Sequence, residues 1–172
     1  MAPKIKDAVR RNEKCYLESE LPSTKHIQFT VTIKSPASVV WQHVTRPESY
    51  KQWASAFAEG SHFQGSWESG AKIFFLAPNG DGMVSEIAES RPSEFISIRH
   101  LGFIANGVED TTSEAIRAWA PAFENYTFVP TKEGTRMVVD QDVAAEWEEY
   151  ICQAWPKALE ILKTLCESSR VA

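Results

Sequence analysis

"EYICQAWPKALEIL", residues 149–162, lies near the end of a 172-residue chain and carries the signal that decides the fold. Trp147, Ile151, Ala154, Ala158, Ile161 or Leu162, and Leu165 recur at the three- and four-residue spacing of one helical face, so residues 145–168 read as one long amphipathic helix. Pro156 stands inside it. Proline has no N–H to give, and its ring crowds the carbonyl four residues back, here that of Cys152, so a bend is expected at that turn. A long apolar stripe with a bend in it suits a broad, curved partner surface.

That surface is written upstream. In "HIQFTVTI" (26–33), Ile27, Phe29, Val31 and Ile33 alternate with polar residues, the pattern of a half-buried strand. "SPASVVWQHV" (35–44) reads as a short helix with Ser35 as N-cap, Pro36 as first helical residue, and Val39, Val40, His43 and Val44 at helical spacing. "RPESYKQWASAF" (46–57) reads as a second, started by Pro47 and carrying Tyr50, Trp53 and Phe57. From residue 61 the signal changes to six strand-length segments: 61–67, 71–77, 82–90, 94–103, 122–129 and 135–143. "ESG", "PNGD", "RPS" and "TKEG" separate most of them with the residues that tight turns need, which predicts a meander of neighbouring antiparallel strands. The longer link, 104–121, has Thr111 and Glu114 at capping-box spacing, followed by Ala115, Ile116 and Trp119, and predicts an inserted helix of about two turns.

The expected fold class is α+β: a curved seven-stranded antiparallel sheet wrapped around the C-terminal helix. Two short helices follow strand one, and a short helix is inserted between strands five and six. Residues 26–168 form the expected domain. Residues 1–25 read as a flexible extension, its first fourteen residues carrying five basic and two acidic side chains.

Composition excludes several classes of function. Eighteen basic residues against 23 acidic, with no basic cluster interleaved with aromatics, argue against nucleic acid. Cys15, Cys152 and Cys166 have neither metal-ligand spacing nor a disulfide framework, and no apolar run approaches the ~20 residues of a membrane span. Without a signal-peptide core, the expected location is cytoplasmic. Glu146 and Glu149 share a helical face but no histidine follows them, and no glycine-rich phosphate loop is present, so no metal and no cofactor are expected.

Particular residues carry a family resemblance: Pro36, Val40, Trp41, Thr45, Pro47 and Trp53 within 35–53, "GTRMVV" (134–139), and "WPKALEILKTL" (155–165). With these, the chain resembles the START-like helix-grip superfamily, also called SRPBCC. Within it, the branch most similar is the C-terminal domain of the heat-shock-chaperone ATPase activator. "HLGFIANGVEDTTSEAIRAW" (100–119) followed by "ENYTF" (124–128) is similar to a bacterial-type subgroup of small single-domain proteins. The resemblance spans about residues 26–167 and implies a cavity between helix and concave sheet that holds a small apolar or aromatic molecule. Full-length chaperone activators carry a further N-terminal domain that residues 1–25 do not replace.

Strand parity suggests which polar groups face such a cavity. His100 shares a face with Ile96 and Ile98, Glu124 with Tyr126 and Phe128, and Gln141 with Thr135, Met137 and Val139. Candidate ligand contacts on the sheet are Phe75, Met83, Ser85, Ile98, His100, Glu124, Tyr126 and Gln141. Those on helices are Trp53, Phe57, Trp119, Trp147, Tyr150, Ile151 and Trp155. A histidine beside a glutamate in apolar surroundings suits general acid–base work on an enolisable or polyketide-like ligand, which makes His100 and Glu124 the candidate catalytic pair. A purely structural pair, or a one-residue slip to the solvent face, are the competing readings. Three functions follow: a binding module for a small apolar molecule, a co-regulator that touches a chaperone through its surface, and a cyclase- or hydrolase-type enzyme.

Overall fold

The computed structural model describes residues 24–168; the expected extension, up to residue 23, and Cys15 lie outside them. Strand β1 (Thr24–Ile33) is followed by helices α1 (Ala37–Thr45) and α2 (Pro47–Ala54). Strands β2 (His62–Gly65), β3 (Lys72–Leu76), β4 (Gly82–Arg91), β5 (Phe95–Ala105) and β6 (Val108–Asp110) come next. After α3 (Glu114–Arg117), strands β7 (Ala122–Thr131) and β8 (Gly134–Ala144) lead through a 3-10 turn (Ala145–Trp147) into α4 (Glu148–Ser168).

The sheet is antiparallel throughout, in the order β1-β8-β7-β5-β4-β3-β2, with β6 paired to β5 off that path. It therefore has eight strands, not the expected seven. The eighth, "VED", is too short and too polar to announce itself by alternation. Register shifts between Val84 and Ser85 and between Ile87 and Glu89 interrupt the β4–β5 ladder. Irregularities of this kind bend a strand and increase its twist, which gives the sheet a concave face.

Side chains of that face make the core with α4. Ile33, Ile96, Ile98, Tyr126, Phe128, Met137 and Val139 are all buried, as are Ala154, Trp155, Ala158, Leu159, Leu162 and Cys166 of the helix. Each large apolar side chain so buried contributes about 1.5–3 kcal/mol. The buried stripe is turned slightly from the one read in the sequence: Leu162 and Cys166 take the inner positions, while Ile161 and Leu165 are half-buried. Pro156 is exposed and α4 runs unbroken through it. On the solvent side, water can satisfy the carbonyl that the missing N–H leaves unpaired.

Three terminus assignments need correction. Ser35 does not cap α1, whose N-cap position is Pro36 without a side-chain bond. Its hydroxyl instead donates to the carbonyl of Cys166 at 2.9 Å, and its own carbonyl accepts from Thr135 Oγ1 at 2.7 Å. These bonds pin the end of α4 to the β1–α1 turn and supply one of the carbonyl partners that a helix end lacks. The inserted helix is capped by Ser113, which accepts from the Ile116 N–H at 3.3 Å, rather than by Thr111, and it is one turn long rather than two. Helix α2 ends at Ala54, so Phe57 sits on the turn beyond it, whose N–H bonds the Ala54 carbonyl at 3.0 Å.

Burial divides the two described cysteines: Cys152 is exposed, while burial, aided by the charge of Glu167, pushes the Cys166 thiol up to about 12. An alkylating reagent needs thiolate and access. Iodoacetamide at pH 8 should modify Cys152 and leave Cys166 untouched until the protein unfolds, as read by peptide mass mapping. Modification of Cys166 in the folded protein would contradict this packing.

Candidate functional site

Where α4 leaves the sheet near its first turns, the concave face is not filled, and a cavity of about 340 Å³ remains. Its wall is aromatic because four segments send rings into the same space. Helix α2 contributes Tyr50 and Trp53, the turn after it Phe57, strand β3 Phe75, and α4 Trp155. Tyr50 lies 4.7 Å from Trp53 and 6.0 Å from Phe75, ring centre to ring centre, and Trp155 lies 5.0 Å from Phe57 in an edge contact. Trp119 of the insert packs on Phe103 at 5.0 Å, and Trp147 on Tyr150 at 6.0 Å. These half-buried pairs, with Asp81 and exposed Glu146, form the rim.

One end of the cavity is polar. His100 on β5 and Glu124 on β7 are diagonal neighbours, since Ile98 pairs with Glu124 and His100 with Ala122. His100 Nε2 stands 3.2 Å from Glu124 Oε2, and its Nδ1 stands 2.8 Å from Ser85 Oγ. With the imidazole proton on Nε2, the Ser85 hydroxyl donates to Nδ1 and Nε2–H donates to the carboxylate, so every donor in the chain has an acceptor. The Tyr126 hydroxyl donates to Glu124 Oε1. Burial, with the Glu124 charge adding to it, holds the Tyr126 and Tyr50 phenols well above their ordinary range, so both stay protonated. Beside them Trp155 Nε1 donates to Gln141 Oε1 at 2.7 Å, and Tyr150 donates to the Phe57 carbonyl.

The structure brings thirteen of the fifteen candidate ligand contacts to this wall: Trp53, Phe57, Phe75, Met83, His100, Trp119 and Glu124, then Tyr126, Gln141, Trp147, Tyr150, Ile151 and Trp155. Ser85 and Ile98 are not in it. Ile98 is core, and Ser85 is wholly buried behind His100, which it orients without reaching the cavity. Sequence reasoning missed Tyr50, Ala54, Leu76, Phe103 and Val143 as wall residues. Helical spacing marks Tyr50 as inward, but it does not say whether a ring meets the sheet or an empty space. Of the remaining tryptophans, neither lines the cavity: Trp41 packs on Phe128 at 5.6 Å, and Trp67 packs on Phe63 at 5.3 Å and backs the wall residue Phe75 at 5.7 Å.

Among the described residues, no group of three or more His, Cys, Asp or Glu side chains is placed to hold a metal ion. No helix among them is long and apolar enough to cross a membrane.

A long helix gripped by a curved antiparallel sheet, with a cavity between them, defines a START-like helix-grip domain. Residues 34–167 match the family described as Activator of Hsp90 ATPase homolog 1-like protein, and the chain belongs to that family. Solved structures with the same fold include the Aha1 dimer from Colwellia psychrerythraea, with a TM-score of 0.64 at 16% identity over 85% of this chain and 98% of that one. Protein MLL2253 from Mesorhizobium loti has a TM-score of 0.63 at 18% identity over 86% and 99%. DynU16, from the dynemicin biosynthetic locus, has 0.62 at 20% identity over 84% of this chain, which spans only 48% of that protein's length. At these identities the likeness is one of fold. No curated protein matches the chain by sequence.

Proposed function

We propose that this domain binds a small apolar or aromatic molecule in the cavity between the sheet and α4. The observation that carries the reading is an aromatic wall of about 340 Å³ with a few polar groups gathered at one end, the composition of a small-molecule site. The family's fold commonly houses apolar ligands, which agrees with the cavity.

Native mass spectrometry of the purified protein, followed by denaturing extraction, should reveal a defined excess mass that leaves as a small molecule. Returned at about a hundred times its Kd, that molecule stabilises by roughly 2.7 kcal/mol, or about 5–10 °C in Tm for a domain of this size. Met83→Trp fills the cavity from β4 and should abolish the gain. Ser85→Trp is unsuitable, because its side chain would enter packed core rather than the cavity. A clean apo mass, together with no thermal gain from any apolar ligand class, would oppose this function.

A second reading rests on the Ser85–His100–Glu124–Tyr126 chain, which is built like an acid–base relay. If the ligand is turned over, Glu124→Gln should lower turnover by about a hundredfold or more. Unchanged turnover would remove Glu124 from the mechanism. Family membership supports a third, chaperone co-regulation through the outer surface, and titration against a purified chaperone with an ATPase readout separates it from the first two.

A further inference from the structure

The charges around the cavity are one-sided. Its wall contains the carboxylates of Glu124, Asp81, Asp142 and Glu146, but no lysine or arginine among the described residues. Asp142 is paired with His26 at 3.1 Å, and Asp81 is held by the Asn106 N–H at 2.8 Å and by the Asn79 amide. Glu124 differs from both. It is 13% exposed at the side chain, it sits at the closed polar end, and the groups that face it are the Tyr126 hydroxyl and His100, with the Tyr50 ring nearby. Even with His100 protonated, the wall carries more negative than positive charge.

Two hydrogen bonds leave a carboxylate about half of its acceptor capacity. The walls that lead to it are the faces and edges of Tyr50, Trp53, Phe57, Phe75 and Trp155. An aromatic box closed by one carboxylate is complementary to an organic cation: the rings attract it through their quadrupoles, and the carboxylate accepts a charge-assisted hydrogen bond from it. An anionic ligand would meet like charge at the floor and at the rim.

From this juxtaposition we infer that the ligand class of the cavity is an apolar or aromatic amine in its protonated form, its ammonium group on Glu124 and its carbon body against the rings. The inference rests on the binding function proposed above and narrows it to one charge class. A cavity of about 340 Å³ has room for a body of one or two fused rings.

Three probes of nearly equal shape test it by titration calorimetry at pH 7: 1-naphthylmethylammonium, 1-naphthylmethanol and 1-naphthoate. The ammonium is expected to bind about tenfold more tightly than the alcohol, and the naphthoate most weakly. In Glu124→Gln the ratio of ammonium to alcohol affinity should collapse towards one. Because the ratio is read within each protein, a variant that merely folds less well weakens both probes and leaves it unmoved. Alcohol or naphthoate binding as tightly as the ammonium would overturn the charge assignment while leaving the cavity function standing, and so would a Glu124→Gln variant that keeps the preference. Failure of all three probes to bind into the millimolar range would overturn the cavity function and the charge class together.

Discussion

Trp155→Ala should lower the stability of the folded domain by about 3–5 kcal/mol, the largest loss expected from any single side-chain truncation here. Trp155 is 2% exposed, and its ring contacts Phe29, Trp53, Phe57 and Tyr126 with centroids 6.2, 6.0, 5.0 and 5.8 Å away. It is the point where α4, α2 and the concave sheet meet. Removing it merges the space it filled with the existing cavity, so the surroundings cannot collapse to recover the lost contacts. Trp155→Phe separates the two parts of the effect: most of the packing remains, but Gln141 loses its donor, at a cost of about 1–3 kcal/mol. Denaturant titration with a shared slope checks both. A loss below about 1 kcal/mol for the alanine variant would mean that helix and sheet are joined elsewhere.

Gly134→Ala should cost about 3 kcal/mol or more, although it adds a single methyl group. Gly134 opens β8 with φ +146°, a conformation that side chains with a Cβ rarely adopt. A Cβ there would stand 2.2 Å from the Ile33 carbonyl oxygen and 2.7 Å from the Ser35 N, both backbone atoms that cannot swing away. The clash falls beside the buried Ser35 and Thr135 bonds that hold the end of α4, so relieving it opens the seam between β1, β8 and the helix. Gly80→Ala is the control. Its φ is +85° but nothing lies within 4 Å of the added carbon, so only the conformational cost of about 1–3 kcal/mol remains. Equal Tm losses in the two variants would show that backbone strain, and not close approach, governs Gly134.

On β5, β7 and β8 the inward set could be read from alternation, whereas the register shifts in β4 break it and keep Ser85 out of the cavity. Ile96, Ile98 and His100 on β5, Tyr126 and Phe128 on β7, and Met137, Val139 and Gln141 on β8 are all buried, because a period of two is imposed by the strand's own geometry. Short elements escaped for the converse reason. Strand β6 has three residues, and its pairing depends on Gly102, where a Cβ would stand 2.0 Å from the Asp110 carbonyl oxygen. The cap of α3 was misplaced because Thr111 and Ser113 offer similar chemistry two residues apart, and only the backbone path chooses Ser113.

By itself, then, the sequence determined the order of the long elements, the α+β class with a long helix against a meander, the family, and which apolar neighbours share a strand face with His100, Glu124 and Gln141, while leaving open whether that face turns inward. All of these follow from local periodicity and short motifs. Tertiary structure alone decided which inward residues meet empty space and which meet packed core. Ser85 and His100 face each other across β4 and β5, yet one is sealed and the other lines the cavity. The pairing of His100 with Glu124, 24 residues apart, depends on the β5–β7 register, and the one-sided charge of the wall depends on β7, β8, the β3–β4 turn and the 3-10 turn converging. Such properties are distances between segments remote in the chain, set by sheet curvature and the seating of α4, and no local pattern of residues encodes a distance of that kind.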